Sequence, residues 1–410
     1  MIKEIEAQVT TKIYDLASSD YLAYPFKTYQ ALLAECPVYC HPKTEDYFVS
    51  DLEHIKTIFR YTKGFSSDRA SSFAKALSPE QYQFIKPLLD AMSRWLLFKD
   101  APKHMPLRRI INASLNHKLV AKLEGHIEKI ARQLIDEMKA NNQQDLLKGL
   151  AYPLPAMVIA HLLGVPDKDI GLIKQWSDHI AHFLGAKTGP AEAIKAQKSI
   201  VDMSAYLKNL LIENDKVDTE SLVGNLKQFQ LDNPYFSDED LIANCILLLF
   251  AGHETTTYLI SNMWYWLQRH PEQMRWLRDH PDGIAAAIEE GIRFDGPVHR
   301  LGRIITEDVQ LGEHILKKGK KIFMLIGAAN RSEALCGHPN QFDIQRPPTK
   351  HMGFGFGPHL CSGAALGRLE AQLAINLALQ AFSDGQVIEE PEYLPNLGLR
   401  AMKELKICIE

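Results

Sequence analysis

Apolar residues recurring every three to four positions dominate this chain. Leu119, Leu123, Ile127, Ile130, Leu134 and Met138 trace one stripe of an amphipathic helix. The same period predicts helices over 118–140, 150–164, 168–184, 190–213, 237–269, 271–295 and 361–382. Gly164 reads as a helix stop and Pro166-Asp167 as the next start. Ser237-Asp238-Glu239 puts acids in a first turn, where the helix dipole favours them. Strand signals are shorter. Val38-Tyr39 and Tyr47-Phe48-Val49 predict a hairpin. Ile304-Ile305, Val309-Leu311 and Ile315-Leu316 flank a Gly312-Glu313 turn, and Ile322-Phe323-Met324-Leu325 reads as a buried strand. The expected fold is mainly α with small β-sheets. With no fixed-period repeat and no linker rich in Gly, Ser or Pro, residues 1–410 read as a single domain.

Composition narrows the function. Lysines and arginines number 46 against 50 acids, a net charge of -4, which excludes a strongly basic nucleic-acid footprint. No run reaches the roughly 20 apolar residues of a membrane span; the densest, Cys245 to Gly252, falls far short. Met1-Ile2-Lys3-Glu4-Ile5-Glu6 lacks the apolar core of a signal peptide, so the protein is expected to be cytoplasmic and unanchored. Six cysteines in such a protein are expected to be reduced. Cys36, Cys40 and His41 form half a zinc pattern with no second Cys/His pair at a fitting distance. Cys245 sits in an apolar run and reads as a core residue.

One cysteine stands apart. Phe354-Gly355-Phe356-Gly357-Pro358-His359-Leu360-Cys361-Ser362-Gly363 is an irregular glycine-rich stretch ahead of a strong helix. Cys361 is therefore expected near a helix N-terminus, where the dipole and free N–H groups favour a thiolate. Gly355 and Gly357 can adopt backbone conformations that aim N–H groups at the sulfur. Upstream, Ala251-Gly252-His253-Glu254-Thr255-Thr256 interrupts the longest apolar helix with a glycine, an acid and hydroxyls, a local conflict of the kind that marks function. His253-Glu254 could open a His-Glu-x-x-His zinc motif, but Thr257 occupies the second ligand position.

In the order Phe-Gly-x-Gly-x-x-x-Cys-x-Gly, every fixed position of the loop is filled, and the chain resembles the cytochrome P450 family end to end. The resemblance implies haem b held between a long distal helix and the helix after the cysteine loop. Cys361 would be the thiolate ligand to iron, with Phe354 shielding the sulfur. Thr255 would support bound dioxygen, Glu254 would belong to the proton-delivery path, and Ala251 and Gly252 would leave room over the iron. Glu290 and Arg293, at Glu-x-x-Arg spacing, would join Arg346 in a buried ion network behind the cysteine loop. His104, Arg108, Arg303 and His359 would hold the haem propionates. Pro106 and Leu115 depart from the family pattern, which commonly has a basic and an aromatic residue there. Ala329-Asn330-Arg331 matches it and reads as structural.

The implied reaction inserts one oxygen atom of O2 into a hydrophobic small molecule, as hydroxylation or epoxidation in natural-product tailoring. Electrons would come from a ferredoxin or flavodoxin with its NAD(P)H-dependent reductase, docking near Lys99, Lys103, Arg109 and Arg368. By family position the substrate pocket would be lined by the loop between Phe65 and Leu97, with Phe73, Phe84, Leu88, Leu89 and Met92. Leu247, Leu248 and Ala251 would join it, as would Pro297-Val298-His299-Arg300 and the tip at Leu394-Pro395-Asn396-Leu397. A peroxygenase using hydrogen peroxide and a non-catalytic haem-binding protein are the alternatives; the presence of Glu254 and Thr255 argues against both.

Overall fold

The computed structural model describes residues 13–75, 77–185, 190–211, 222–382 and 387–409, with the backbone alone at 72, 73, 75 and 190. The stretch Met1–Glu6, residues 212 and 213, and the side chain of Phe73 lie outside the described residues. Helices dominate, as expected. The longest, Asp238–Arg269, is the central helix. It opens on a capping box in which Ser237 and Asp240 satisfy each other's backbone N–H groups. Its burial is nearly all-round, through Leu241, Ile246, Leu249, Ile260, Trp264 and Leu267 among others, so it forms the axis of the largest apolar core. Helices Pro79–Arg94, Pro153–Leu162, Ile170–Gly185, Pro190–Leu211, Ile284–Asp295 and Ala364–Ala381 pack against it.

Several boundaries differ from the sequence expectation, each for a local reason. The helix expected over 271–295 is two, Pro271–Asp279 and Ile284–Asp295, split where His280 precedes Pro281 and adopts φ -130°, ψ 68°. The helix expected over 150–164 is a π-turn, Leu147–Ala151, followed by Pro153–Leu162, with Pro153 in the first turn. The segment expected over 168–184 begins with a 3-10 turn at Asp167–Asp169 and continues as Ile170–Gly185. The segment read as a loop between Phe65 and Leu97 is largely helical, with Arg69–Lys75 and Pro79–Arg94. Ser78 and Gln81 form a capping box there, and Ile85, Leu88, Leu89 and Met92 recur at helical spacing into the core. Helix His104–Ser114 tolerates Pro106 because it falls in the first turn.

The strands form a five-stranded sheet in the order β1 (Val38–Cys40), β2 (Tyr47–Val49), β7 (Lys321–Leu325), β4 (Arg300–Ile305), β3 (Phe65–Ser66). β1 and β2 make the expected antiparallel hairpin, and β2 pairs parallel with β7. A separate hairpin joins β5 (Val309–Leu311) to β6 (His314–Leu316) through Gly312 at φ +60°, a left-handed conformation that glycine adopts without strain.

Candidate active site

The central helix carries a break in its burial. From Leu241 to Trp264 every residue is buried except Leu248, Ala251, Gly252 and Thr255. These four stand at i, i+3, i+4 and i+7, so they form one partly uncovered stripe along the helix. The Thr255 hydroxyl donates to Ala251 O at 3.1 Å and the Thr256 hydroxyl to Gly252 O at 3.2 Å, so both bond back along the helix. Gly252 serves packing: a Cβ there would lie 3.3 Å from Ile159 Cγ1 on the neighbouring helix, so the expected role of Gly252 in keeping space open falls to its neighbours on the stripe. Glu254 is buried, with Oε1 3.4 Å from His253 Nε2. Leu247 is buried in the core, off that stripe.

The loop before helix Ala364–Ala381 holds Cys361. The Cys361 N–H donates to Phe354 O at 2.8 Å, and Gly355 N–H to Met352 O at 2.8 Å. Gly355 and Gly357 have φ of +77° and +68°, the left-handed turns that fold the loop around the sulfur. The Cys361 side chain is exposed yet closely surrounded by protein atoms. Burial pushes its thiol up; the Gly363 N–H, Arg108 and Arg368 pull the other way but do not win. The expected thiolate preference is therefore outweighed by desolvation, and only a cation at the sulfur would reverse that order. The Arg368 guanidinium stacks on the Phe354 ring at 4.3 Å.

The three members of the expected ion network meet. Arg293 donates to both oxygens of Glu290, at 2.6 and 2.8 Å, and Arg346 lies 3.4 Å from the same carboxylate. Arg293 also donates to the carbonyls of Asn330 and Pro339. Asn330 Oδ1 accepts from Met352 N at 2.7 Å, which links the network to the cysteine loop and supports the structural reading of Ala329-Asn330-Arg331.

A second convergence is cationic. His104 and His359 stack with ring centroids 4.1 Å apart. Burial and the neighbouring Arg303, His104 and Arg108 push His359 down to about 3. Burial, then repulsion from Arg69, brings Arg303 down to about 10. Arg69 itself falls to about 10 through burial and Arg300. His104 Nε2 is buried with no hydrogen-bond partner. Sequence reasoning missed Arg69 and Ser67, whose hydroxyl lies 3.1 Å from His359 Nε2; the signal was the polar run Ser66-Ser67-Asp68-Arg69 just after Phe65.

Two expected roles change. His299 is held at both ring nitrogens, by Tyr29 Oη at 2.9 Å and Asp295 Oδ1 at 3.1 Å, which leaves no atom to anchor a substrate. Val298 pairs with Leu399 in an isolated bridge, part of the same wall. Arg368 donates to Glu289 at 2.6 and 3.0 Å and so is not a free docking charge; Lys103 and Arg109 are exposed.

Comparison with known proteins agrees with this geometry. A family model described as Cytochrome P450 matches residues 174–282 and 284–403. The chain is 30% identical, over 96% of its own length and 98% of the relative's, to a Bacillus subtilis (strain 168) protein named Biotin biosynthesis cytochrome P450. It is 31% identical to Cytochrome P450 monooxygenase PikC of Streptomyces venezuelae, over 95% and 92% of the two lengths. It also superposes on a crystal structure of P450BioI in complex with an acyl carrier protein ligated to hexadec-9Z-enoic acid. The TM-score is 0.87 and the identity 29%, covering 96% of this chain and 100% of that one. Among the described residues no helix is long and apolar enough to cross a membrane. By sequence and by fold, this chain belongs to the cytochrome P450 family of haem-binding monooxygenases.

Proposed function

We propose that the Cys361 thiolate would hold the iron of haem b, with the cofactor bounded by the Cys361 loop and the Leu248–Ala251–Thr255 stripe. The residues fit the group on two counts. The orphaned His104 Nε2 sits beside the His359 ring and near Arg108 and Arg303, whose buried positive charge two propionates would neutralise. The thiol of Cys361 is held up by burial against two arginines and an N–H, so a bound metal ion would deprotonate it. When bound, haem supplies the activation of dioxygen. Around it, Phe354 and Arg368 would cover the sulfur side and Thr255 the opposite side, with Glu254 next to Thr255 in the chain and its carboxyl turned to His253. Glu290, Arg293 and Arg346 hold the loop in place through Asn330.

The substrate we propose is a hydrophobic small molecule lying along Leu248 and Ala251, hydroxylated or epoxidised in natural-product tailoring by a single-domain cytoplasmic enzyme. Electrons would come from a ferredoxin or flavodoxin and its NAD(P)H-dependent reductase. The observation that carries the reading is the partly uncovered stripe on an otherwise buried helix, together with a cysteine in a left-handed glycine loop. The test is the absorbance of reduced, carbon monoxide-treated protein. The red-shifted thiolate band is expected, and should vanish in Cys361→Ser; a parental spectrum in that variant would end the assignment.

A further inference from the structure

Beside the stripe lies a buried histidine that none of the roles above uses. His253 is only 2% exposed at its side chain. Its Nδ1 lies 2.9 Å from Leu249 O, an acceptor only, so Nδ1 carries a proton and every exchange must occur at Nε2. Two carboxylates approach that one atom: Glu254 Oε1 at 3.4 Å and Asp178 Oδ1 at 3.8 Å. They differ in access. The Glu254 side chain is 10% exposed; that of Asp178, on helix Ile170–Gly185, is 45% exposed.

We propose that Asp178 and His253 form a proton relay from solvent to Glu254, acting through Glu254 and not on the substrate. This rests on the reading of Glu254 and Thr255 given above. When Glu254 gives up a proton on the Thr255 side, it becomes a carboxylate facing the imidazolium. The Nε2 proton moves to Glu254 Oε1 and the ring becomes neutral. Nε2 then takes a proton from Asp178, which is replenished by water, so one proton enters for each one used. Nε2 is buried without a hydrogen-bond partner, so each transfer requires the carboxylate to close its 3.4 or 3.8 Å gap to the ring.

The surroundings suit this. The Tyr152 hydroxyl donates to Asp178 and orients it, and the Tyr152 ring packs edge-on against His253 at 5.5 Å. Lys174 covers the outer face of Tyr152 at 3.8 Å. Tyr258 faces Glu254 from one turn further along the central helix, and Glu370 faces the cluster from helix Ala364–Ala381. Burial alone would lower the His253 pKa, but the two carboxylates of Asp178 and Glu254 close to Nε2 override it and raise the ring to about 9. A charged ring at neutral pH holds a proton ready, and it disfavours a metal ion at the same triad.

The test uses the holoenzyme with a ferredoxin and its NADPH-dependent reductase, with no substrate added. It measures hydrogen peroxide released per NADPH consumed, across pH. His253→Gln keeps a donor of similar reach but cannot relay. The peroxide share should rise by roughly twofold or more, and the alkaline limb near pH 9 should disappear. Asp178→Asn should shift that limb towards acid, and Asp178→Glu should restore it. A second readout needs no turnover: the histidine ring resonance that is missing from His253→Gln should titrate near pH 9, and titration at or below 6.5 overturns the relay. If Thr255→Ala raises the peroxide share while His253→Gln and Asp178→Asn leave share and profile unchanged, the relay alone is wrong. If Thr255→Ala also changes nothing, the reading of Thr255 and Glu254 fails first.

Discussion

Arg293 grips Glu290 with two parallel hydrogen bonds, while its remaining donors reach the carbonyls of Asn330, Pro339 and Gln341. Both side chains are essentially without solvent contact, at 0% and 3% exposure. Removing the guanidinium therefore strands a buried carboxylate and three carbonyls together. Arg293→Ala should cost about 3–5 kcal/mol of stability and abolish haem retention, as measured by urea unfolding and by the absorbance of the purified protein. Arg293→Lys should rescue little, because an ammonium cannot span both carboxylate oxygens and the loop carbonyls.

Arg303 makes the opposite prediction for apoprotein and holoprotein. Its only hydrogen bond among the described residues is to the neighbouring Gly302 O, and it is repelled by Arg69. Arg303→Met should leave apoprotein stability unchanged or raise it, since an uncompensated buried charge is gone. Haem binding should weaken by about 1.5–3 kcal/mol, the worth of a lost hydrogen bond to a charged group. Unfolding of the apoprotein and haem transfer to an acceptor globin check the two halves.

Glu370 predicts a slope of stability with pH. Burial holds its carboxyl up at about 8, against the nearby Thr256 hydroxyl and attraction to His253, which only partly offset it. A raised folded pKa means that stability is fully present below the unfolded value of 4.5 and declines as pH rises through about 8. Glu370→Gln should flatten this decline and unfold later than the parent at pH 9, with little difference at pH 4. Equal slopes in the two proteins would refute the assignment.

The two arginines expected at the donor-docking face should behave differently. Arg109 is exposed, so Arg109→Ala should slow reduction by ferredoxin at low salt and match the parent once salt screens the surface. Arg368 is committed to Glu289 and Phe354. Arg368→Ala should instead lower thermal stability and haem loading at every ionic strength. Stopped-flow reduction at two salt concentrations, alongside thermal melts, separates them.

Local chemistry made much of this molecule legible beforehand. A capping box at Ser237, the glycines around Cys361, the Glu290–Arg293 spacing and the back-bonding threonines all act within a few residues of one another, where sequence order is spatial order. The errors arose where that holds less well. The break at His280-Pro281 lay inside a convincing apolar period, and helix Pro79–Arg94 was hidden by its prolines despite the Ser78 capping box.

What the sequence determined by itself was the class of fold and the two local patterns behind the proposed site, the glycine-rich Cys361 loop and the Glu254–Thr255 pair, because each rests on short-range pattern. Tertiary structure alone decided which charges are spent and which are free. His299 is consumed by Tyr29, 270 positions away, and Arg368 by Glu289, whereas Arg69 and Arg303 are left as a buried positive excess beside an unpartnered His104 Nε2. It also decided that Asp178 should face His253 from another helix. A side chain's pairing and burial depend on neighbours distant in the chain, and no local period encodes them.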